Sequence, residues 1–202
     1  MRLKALVLAL LLAVAAVAAA QQAAPPADPS ILKPPAGASV AIVVFEDLQC
    51  PDCARAAPLV AAASKQHGVP VLIHDFPLPQ HEWAFDAAVL ARYFESRSPE
   101  LGVEFRHHIM SNQRQVTRQN LRSMAERFAA EHNAPLPFML DPKGELAEKV
   151  RAGQNLGRRI GVRHTPTIYV VSNAKAGEPF VEVVNRAQLS QLIEAMKREA
   201  AR

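Results

Sequence analysis

The pattern of hydrophobic positions in the first half of the chain predicts a β-α-β unit. Residues 40–45 form a continuous apolar run rich in valine, which is typical of a strand covered by helices on both faces. Residues 53–66 are rich in alanine and end just before Gly68, a pattern that predicts a helix with a glycine at its end. Residues 69–76 are mainly apolar and predict a second strand. Since a helix joins the two strands, we expect them to be parallel.

The middle of the chain, from about residue 82 to about residue 140, repeats apolar positions at helical spacing. Ser98-Pro99 and Leu101-Gly102 are the expected breaks between successive helices. We therefore predict an all-helical insertion after the β-α-β unit. Its large aromatic side chains are assigned to the core in preference to a peptide-binding groove: Trp83, Phe85, Tyr93 and Phe94.

The last third of the chain predicts a helix, two strands and a final helix. Asp141 and Pro142 form a good helix start, with the acid as the cap and the proline at the first helical position. Residues 167–171 and 180–184 are apolar runs joined by a short turn, which predicts an antiparallel pair. Residues 187–198 predict an amphipathic helix. We therefore expect an α/β fold in which helices cover both faces of a mixed central sheet.

The N-terminal residues have the layout of a secretory signal peptide. Arg2 and Lys4 precede an apolar stretch that ends in Ala18-Ala19-Ala20, so cleavage is expected after residue 20. An uncleaved anchor is the alternative, although the uncharged run is shorter than the roughly 20 residues that a membrane span needs. Residues 21–38 are rich in alanine and proline and predict an extended leader. The folded domain is therefore expected at residues 39–202.

Composition and charge fit one globular domain and argue against a nucleic-acid partner. Half of the 202 residues are hydrophobic and 21% are charged, which is enough apolar surface for a sizeable core. The formal net charge is +4, but two of the basic residues lie in the predicted signal peptide. The others are scattered, and the one tight group is Arg158, Arg159 and Arg163. Nucleic-acid binding would require a clustered basic face with interleaved aromatic residues.

The two cysteines are the main candidates for chemistry. A chain with only Cys50 and Cys53 has no disulfide framework, four-cysteine zinc module or four-cysteine iron–sulfur site. Both lie in Cys50-Pro51-Asp52-Cys53, at the start of a predicted helix, where backbone N–H groups and the helix dipole favour a thiolate. Cys50 is therefore the expected nucleophile and Cys53 the resolving thiol, while Pro51 suits the first helical position.

Asp52 lies between the two thiols and is expected to oppose thiolate formation. A pair with this acid should be less oxidising than a pair with histidine at the same position. Two other uses of the cysteines stay open. Half a zinc site would need two more ligands, although the histidines lack a ligand-pair spacing. A structural disulfide is also conceivable, but so short a loop gains little stability from closure.

Two segments resemble the DsbA-like thioredoxin-fold family. The first is residues 43–53, VVFEDLQCPDC, which resembles the strand and loop of the branch with the pattern F-x-D-x-x-C-P-x-C. The second is residues 157–170, GRRIGVRHTPTIYV, which resembles the family's G-V-x-x-T-P-T segment and the strand after it. The segments follow the family's order, with the helical insertion between them. The resemblance covers about residues 38–200 and implies a thioredoxin fold.

The resemblance also implies roles for several residues. Pro166 corresponds to a cis-proline that faces the cysteine pair, and the backbone of Thr165 to the group that pairs with an extended substrate chain. Many thioredoxins carry a buried acid six residues before the first cysteine, but this chain has Val44 there. Glu46 or Asp47 is left as the candidate proton relay for Cys53. Asp47 is preferred, because it occupies the acidic position of the F-x-D pattern.

The function that the resemblance implies is a secreted thiol–disulfide oxidoreductase, most plausibly an oxidase. Its substrates would be protein thiols, and a membrane redox partner would restore the Cys50–Cys53 disulfide. The signal peptide and this chemistry together favour a bacterial periplasm or cell envelope. No cofactor or metal is expected. An envelope reductase and a non-catalytic binder of metals or peptides remain as alternatives.

Overall fold

The computed structural model describes residues 28–174 and 177–202. The predicted signal peptide and the first part of the predicted leader lie outside the described residues. The described part of the leader is not simply extended, because it forms a short 3-10 turn at Pro29–Ile31 and buries Leu32 against the sheet. Within the described ranges, no helix is both long and apolar enough to cross a membrane.

Four strands form one mixed sheet, and six α-helices surround it in the part of the chain that the structure describes. The strands are β1 (Val40–Glu46), β2 (Val71–Asp75), β3 (Thr167–Ser172) and β4 (Phe180–Glu182). The helices are α1 (Pro51–His67), α2 (Ala84–Arg97), α3 (Pro99–Ser111), α4 (Leu121–Glu131), α5 (Glu145–Arg159) and α6 (Leu189–Ala200). The strand order is β2-β1-β3-β4; β1 pairs in parallel with β2, and the other two pairs are antiparallel. The predicted α/β class, mixed sheet and helical insertion are therefore confirmed.

Strand β1 lies in the middle of the sheet and is buried along its whole length, as its continuous apolar sequence predicts. Side chains alternate between the two faces along a strand. Ile42 and Val44 point to the face covered by α1 and α6, whereas Val43 and Phe45 point to the face that contains Ile160 at the end of α5. Burial on both faces fixes the position of the strand whose end leads into the cysteines.

The helical insertion consists of α2, α3 and α4. Its centre is an aromatic cluster in which the ring centroids of Phe94, Phe105 and Phe128 lie 4.5–5.2 Å apart. The predicted break at Ser98 is correct, since its side chain accepts a hydrogen bond from the N–H of Leu101 and caps α3. The predicted break at Gly102 is wrong. Helix α3 continues through this glycine, which serves instead to let α2 pack so closely that a side chain would not fit.

Helix α5 begins three residues later than the sequence predicts. Residues 142–144 form a turn, and Gly144 precedes the helix in the left-handed conformation. The Asp141 carboxylate still acts as a cap, because it accepts hydrogen bonds from the backbone N–H groups of Leu146 and Ala147.

We expect Gly153→Ala to destabilise the protein by about 1–3 kcal/mol, because the new methyl group would push α5 away from β2. A Cβ atom at this position would lie 2.6 Å from the carbonyl oxygen of Asp75, a backbone atom that cannot rotate away. The measurement is the free energy of unfolding in urea. Asn155→Ala, at an exposed position of the same helix, is the control and should change it little. A variant at residue 153 as stable as the wild type would show that α5 can move at no cost.

Candidate active site

The two cysteines lie at the junction between the sheet and the helical insertion. β1 ends at Glu46, a short loop follows, and Cys50 is the N-cap of α1 with Pro51 at the first helical position. Cys53 lies one turn further into the helix. Both cysteines are free thiols and are buried, with 7% of Cys50 and 2% of Cys53 exposed. They pack against the core of the insertion, so the end of β1, the start of α1 and the insertion meet at this pair.

The environments of the two sulfurs make the thiols unequal. A hydrogen bond with the Cys53 thiol is the main cause that lowers the pKa of Cys50 to about 5, and further hydrogen bonds outweigh the opposing effect of burial. The same interaction and burial raise the pKa of Cys53 far above the usual range. Cys50 is therefore a thiolate at neutral pH and Cys53 a protonated thiol, which is the division of roles that their positions in the helix predict.

The loop before β3 lies directly against Cys50. The Sγ atom of Cys50 is 3.2 Å from the carbonyl oxygen of Thr165, and the Thr165–Pro166 peptide bond is cis. The next turn is stabilised locally, since the Thr167 hydroxyl donates to the His164 carbonyl oxygen and the His164 ring lies 2.8 Å from that hydroxyl. The structure thus brings Thr165 and Pro166 to the cysteines, where the family resemblance expects them.

Asp47 holds the loop that carries the cysteines. One carboxylate oxygen accepts a hydrogen bond from the Gln49 N–H at 2.7 Å. The other lies 2.7 Å both from the Leu78 nitrogen and from the His81 ring. The backbone N–H of Asp47 also points to the Cys53 sulfur at 3.4 Å. Since these contacts occupy both of its oxygens, the buried carboxylate holds the loop before α1 in position.

Glu46 is the acid on the Cys53 side of the site. Its buried carboxylate accepts from Arg106 at 2.9 Å, and the same guanidinium lies 2.7 Å from Asp75. Burial raises the pKa of Glu46. Glu46, Cys53, Arg106 and Pro166 line one cavity of about 620 Å³, so a proton could pass between the acid and the thiol through water. The sequence favours Asp47 as the relay, whereas the geometry favours Glu46.

Asp52 is not the isolated acid that the sequence suggests. Its carboxylate is bound at two points by the guanidinium of Arg186, one contact of which is 3.0 Å, and it also accepts from Arg55 at 3.1 Å. Hydrogen bonds from Arg186 lower the pKa of Asp52. Arg186 lies in the turn before α6, 134 residues from Asp52 in the chain, and no local pattern marks it.

The helical insertion also contributes residues that the sequence did not single out. The side-chain amide of Gln113 donates to the carbonyl oxygens of Leu48 at 2.7 Å and Cys50 at 3.0 Å. Gln49 in turn accepts from the backbone N–H of Trp83 at 2.9 Å. Among the predicted core aromatic residues, Trp83 and Phe94 are buried, and Phe85 and Tyr93 are half-buried.

The histidines do not complete a metal site with the cysteines. Among the residues at 28–174 and 177–202, no group of three or more His, Cys, Asp or Glu side chains is arranged to hold a metal ion. The polar neighbours of the cysteines include each other, the Asp47 N–H, the Thr165 carbonyl and the backbone N–H groups of Asp52 and Cys53.

Comparison with known proteins places the chain by sequence and by fold. A family model described as thioredoxin matches residues 35–195. None of the curated proteins matches the sequence. Among solved structures, Wolbachia pipientis alpha-DsbA1 is similar with a TM-score of 0.66, 16% identity, and coverage of 87% of this chain and 90% of that one. Proteus mirabilis ScsC is similar with a TM-score of 0.62 and 19% identity, and the match covers 81% of this chain and 70% of that one. A periplasmic thioredoxin-like protein from Salmonella enterica serovar Typhimurium is similar with a TM-score of 0.60 and 22% identity, and the match covers 81% of this chain and 85% of that one. The resemblance to the DsbA-like fold is thereby confirmed.

We expect the alkylation rate of Cys50 to rise with pH to a plateau, with a midpoint at about 5, because only the thiolate reacts. Iodoacetamide labelling followed by peptide mass mapping measures the rate at each cysteine. Cys53→Ala should move the midpoint upward, since the variant loses the hydrogen bond that chiefly stabilises the thiolate. A wild-type midpoint near the ordinary thiol value of 9.0 would contradict this assignment.

Proposed function

This chain belongs to the thioredoxin family, and we propose that within that family it is a thiol–disulfide oxidoreductase that oxidises protein dithiols. The observation that carries the proposal is the inequality of the two thiols. Cys50, whose pKa is lowered to about 5, lies 3.2 Å from the Thr165 carbonyl beside a cis-proline, while Cys53 is buried behind it. A reactive thiolate paired with a protected thiol is the arrangement that disulfide exchange requires.

The reaction proceeds in two exchanges. In the first, a substrate thiolate attacks the sulfur of Cys50 in the disulfide form of the protein. The Cys50–Cys53 bond breaks, a mixed disulfide forms, and Cys53 leaves with the electron pair and takes up a proton. In the second, another substrate thiolate attacks the substrate sulfur of the mixed disulfide, and Cys50 leaves as a thiolate. Two electrons thus pass from the substrate dithiol to the cysteine pair, and the substrate gains a disulfide.

Glu46 is the proposed proton partner of Cys53. The leaving Cys53 thiolate needs a proton because its pKa is raised, and Glu46 lines the same cavity. Since burial raises the pKa of Glu46, the acid is better able to carry a proton than an exposed glutamate. In the reverse direction, the same carboxylate would accept the proton as Cys53 attacks a mixed disulfide.

Thr165 and Pro166 form the proposed contact with the substrate chain. They border Cys50, and the proline has no N–H group that would need a partner near the sulfurs. An extended substrate could pair with the backbone of Thr165 and present its cysteine to Cys50. Pro51 supports the site by starting α1, and Asp47 by holding the loop.

The stability of the reduced form supports electron flow from substrate thiols to the cysteine pair. Stabilising the Cys50 thiolate stabilises the reduced protein, which makes the disulfide form a stronger oxidant. This favours an oxidase over a reductase, and an oxidase needs a membrane redox partner that restores its disulfide. The predicted signal peptide supports a location in the cell envelope, and one structure of similar fold is described as periplasmic.

Cys50→Ser should abolish oxidation of a reduced ribonuclease, because it removes the sulfur that forms the mixed disulfide. Cys53→Ser should instead accumulate covalent protein–substrate adducts, which non-reducing electrophoresis detects and a reductant releases. A reduction potential more oxidising than that of glutathione would support the oxidase, and a more reducing potential would favour the reductase. Oxidation by the Cys50 variant at the wild-type rate would end the catalytic interpretation.

Glu46→Gln should slow the attack of Cys53 on a mixed disulfide by about 10- to 100-fold, because it removes the proton acceptor. Stopped-flow release of thionitrobenzoate from its mixed disulfide with Cys50 measures this step directly. The pH profile of the step should also lose the inflection that Glu46 contributes. Glu126→Gln, on the exposed surface of α4, is the charge-matched control. An unchanged rate and pH profile at residue 46 would exclude the relay.

A further inference from the structure

The acid between the two cysteines forms an ion pair that spans two distant parts of the fold. Asp52 lies in the first turn of α1, and Arg186 lies in the 3-10 turn before α6. The guanidinium meets both carboxylate oxygens, a two-point arrangement that fixes the orientation of both groups. Exposed fractions of 38% for the Asp52 side chain and 29% for the Arg186 side chain show that the pair is partly accessible to solvent.

The charged groups around Cys50 show how the Asp52–Arg186 pair affects the electrostatic environment of the thiolate. On α1 there are Asp52 and Arg55, and the turn before α6 adds Arg186. The loop before α1 contributes Asp47, which already lies against the His81 ring. The remaining neighbours are His164, which precedes Thr165, and Glu46, which is paired with Arg106. Asp52 is thus the anion nearest in sequence to both thiols, and Arg186 is the cation bound most closely to it.

We propose that Arg186 is a positioning residue for the cysteine pair, which holds the Asp52 carboxylate at two points and balances its charge beside the Cys50 thiolate. Without Arg186, a negative charge two residues from the nucleophile would disfavour ionisation of Cys50. With Arg186 in place, an acid between the cysteines is compatible with a reactive thiolate. Arg55 also contacts Asp52, but its side chain is 68% exposed, so solvent screens its charge more strongly.

The geometry supports an electrostatic role for Arg186 in addition to any structural one. The hydrogen bond and the charge of Asp52 are the main causes that raise the pKa of Arg186, and the charge of Cys50 acts in the same direction, so the guanidinium lies within electrostatic range of the nucleophile. Asp52 therefore holds a cation near the thiolate, and its own negative charge no longer opposes the ionisation of Cys50. The inference deepens the proposed function, because it concerns the reactivity of the same nucleophile.

Arg186→Gln should raise the pH midpoint of Cys50 alkylation by about half a pH unit to one pH unit, because it leaves the Asp52 charge unbalanced. Below the midpoint this slows iodoacetamide labelling by about threefold to tenfold. The equilibrium with glutathione should shift toward the disulfide form by a similar factor, since the reduced state loses stability. Arg122→Gln, which breaks an exposed ion pair on α4, is the matched control and should leave both measurements unchanged.

The double variant Asp52→Asn with Arg186→Gln separates the electrostatic role from a structural one. Removing the acid as well should return the alkylation midpoint toward the wild-type value, because no unbalanced charge remains. A midpoint that stays raised in the double variant would show that Arg186 acts only by holding the turn before α6. A midpoint unchanged in the single variant would overturn the proposal outright.

Alkylation by a small reagent does not depend on any protein substrate. If the chain failed to oxidise proteins but Arg186→Gln still shifted the midpoint, the proposed function would fail and the role of Arg186 would stand. If oxidation occurred and the midpoint did not move, the reverse would hold. Arg186→Lys adds one further measurement, since a single ammonium group keeps the positive charge but not the two-point contact. Its alkylation midpoint should lie between those of the wild type and Arg186→Gln.

Discussion

The contact between Cys50 and Thr165 constrains the whole arrangement around the cysteines. The two residues are 115 positions apart in the chain, and the sulfur and the carbonyl oxygen are 3.2 Å apart. One partner is at the end of β1 and the start of α1, and the other precedes β3, so the antiparallel pairing of β1 with β3 must be in register for them to meet. The two faces of β1 pack against different neighbours, so a slip by one residue would exchange the side chains that face α1 and α6 with those that face Ile160.

A second set of contacts ties the helical insertion to the same site. Arg106 of α3 reaches the Glu46 carboxylate at the end of β1 and Asp75 at the end of β2. Gln113, after α3, holds the carbonyl oxygens of the cysteine loop. Removing one partner from a buried ionic network leaves an uncompensated charge and is costly. The insertion therefore does more than cover the sheet: it fixes the acid that we assign to Cys53 and the loop that carries Cys50.

The acids near the cysteines show how composition alone can mislead. Asp47, Glu46 and Asp52 lie within seven residues, and a sequence assigns each the same charge. In the fold, Asp47 is committed to backbone N–H groups, Glu46 is buried with a raised pKa, and Asp52 is paired with two arginines. Their chemistry differs because their distant partners come from the loop after β2, from the insertion and from the turn before α6. Only Gln49 and Arg55 among the partners are near in sequence.

The sequence by itself predicted the strand and helix order, the mixed sheet, the helical insertion and the position of the nucleophile at a helix start. These features depend on local patterns: apolar periodicity, proline at the first helical position, and glycine at a helix end. The resemblance added Thr165 and Pro166. Only the tertiary structure revealed Arg106, Gln113 and Arg186, because each acts through a contact across 60 or more residues. Electrostatics at a buried site depends on which charges the fold brings together, and no local pattern encodes that.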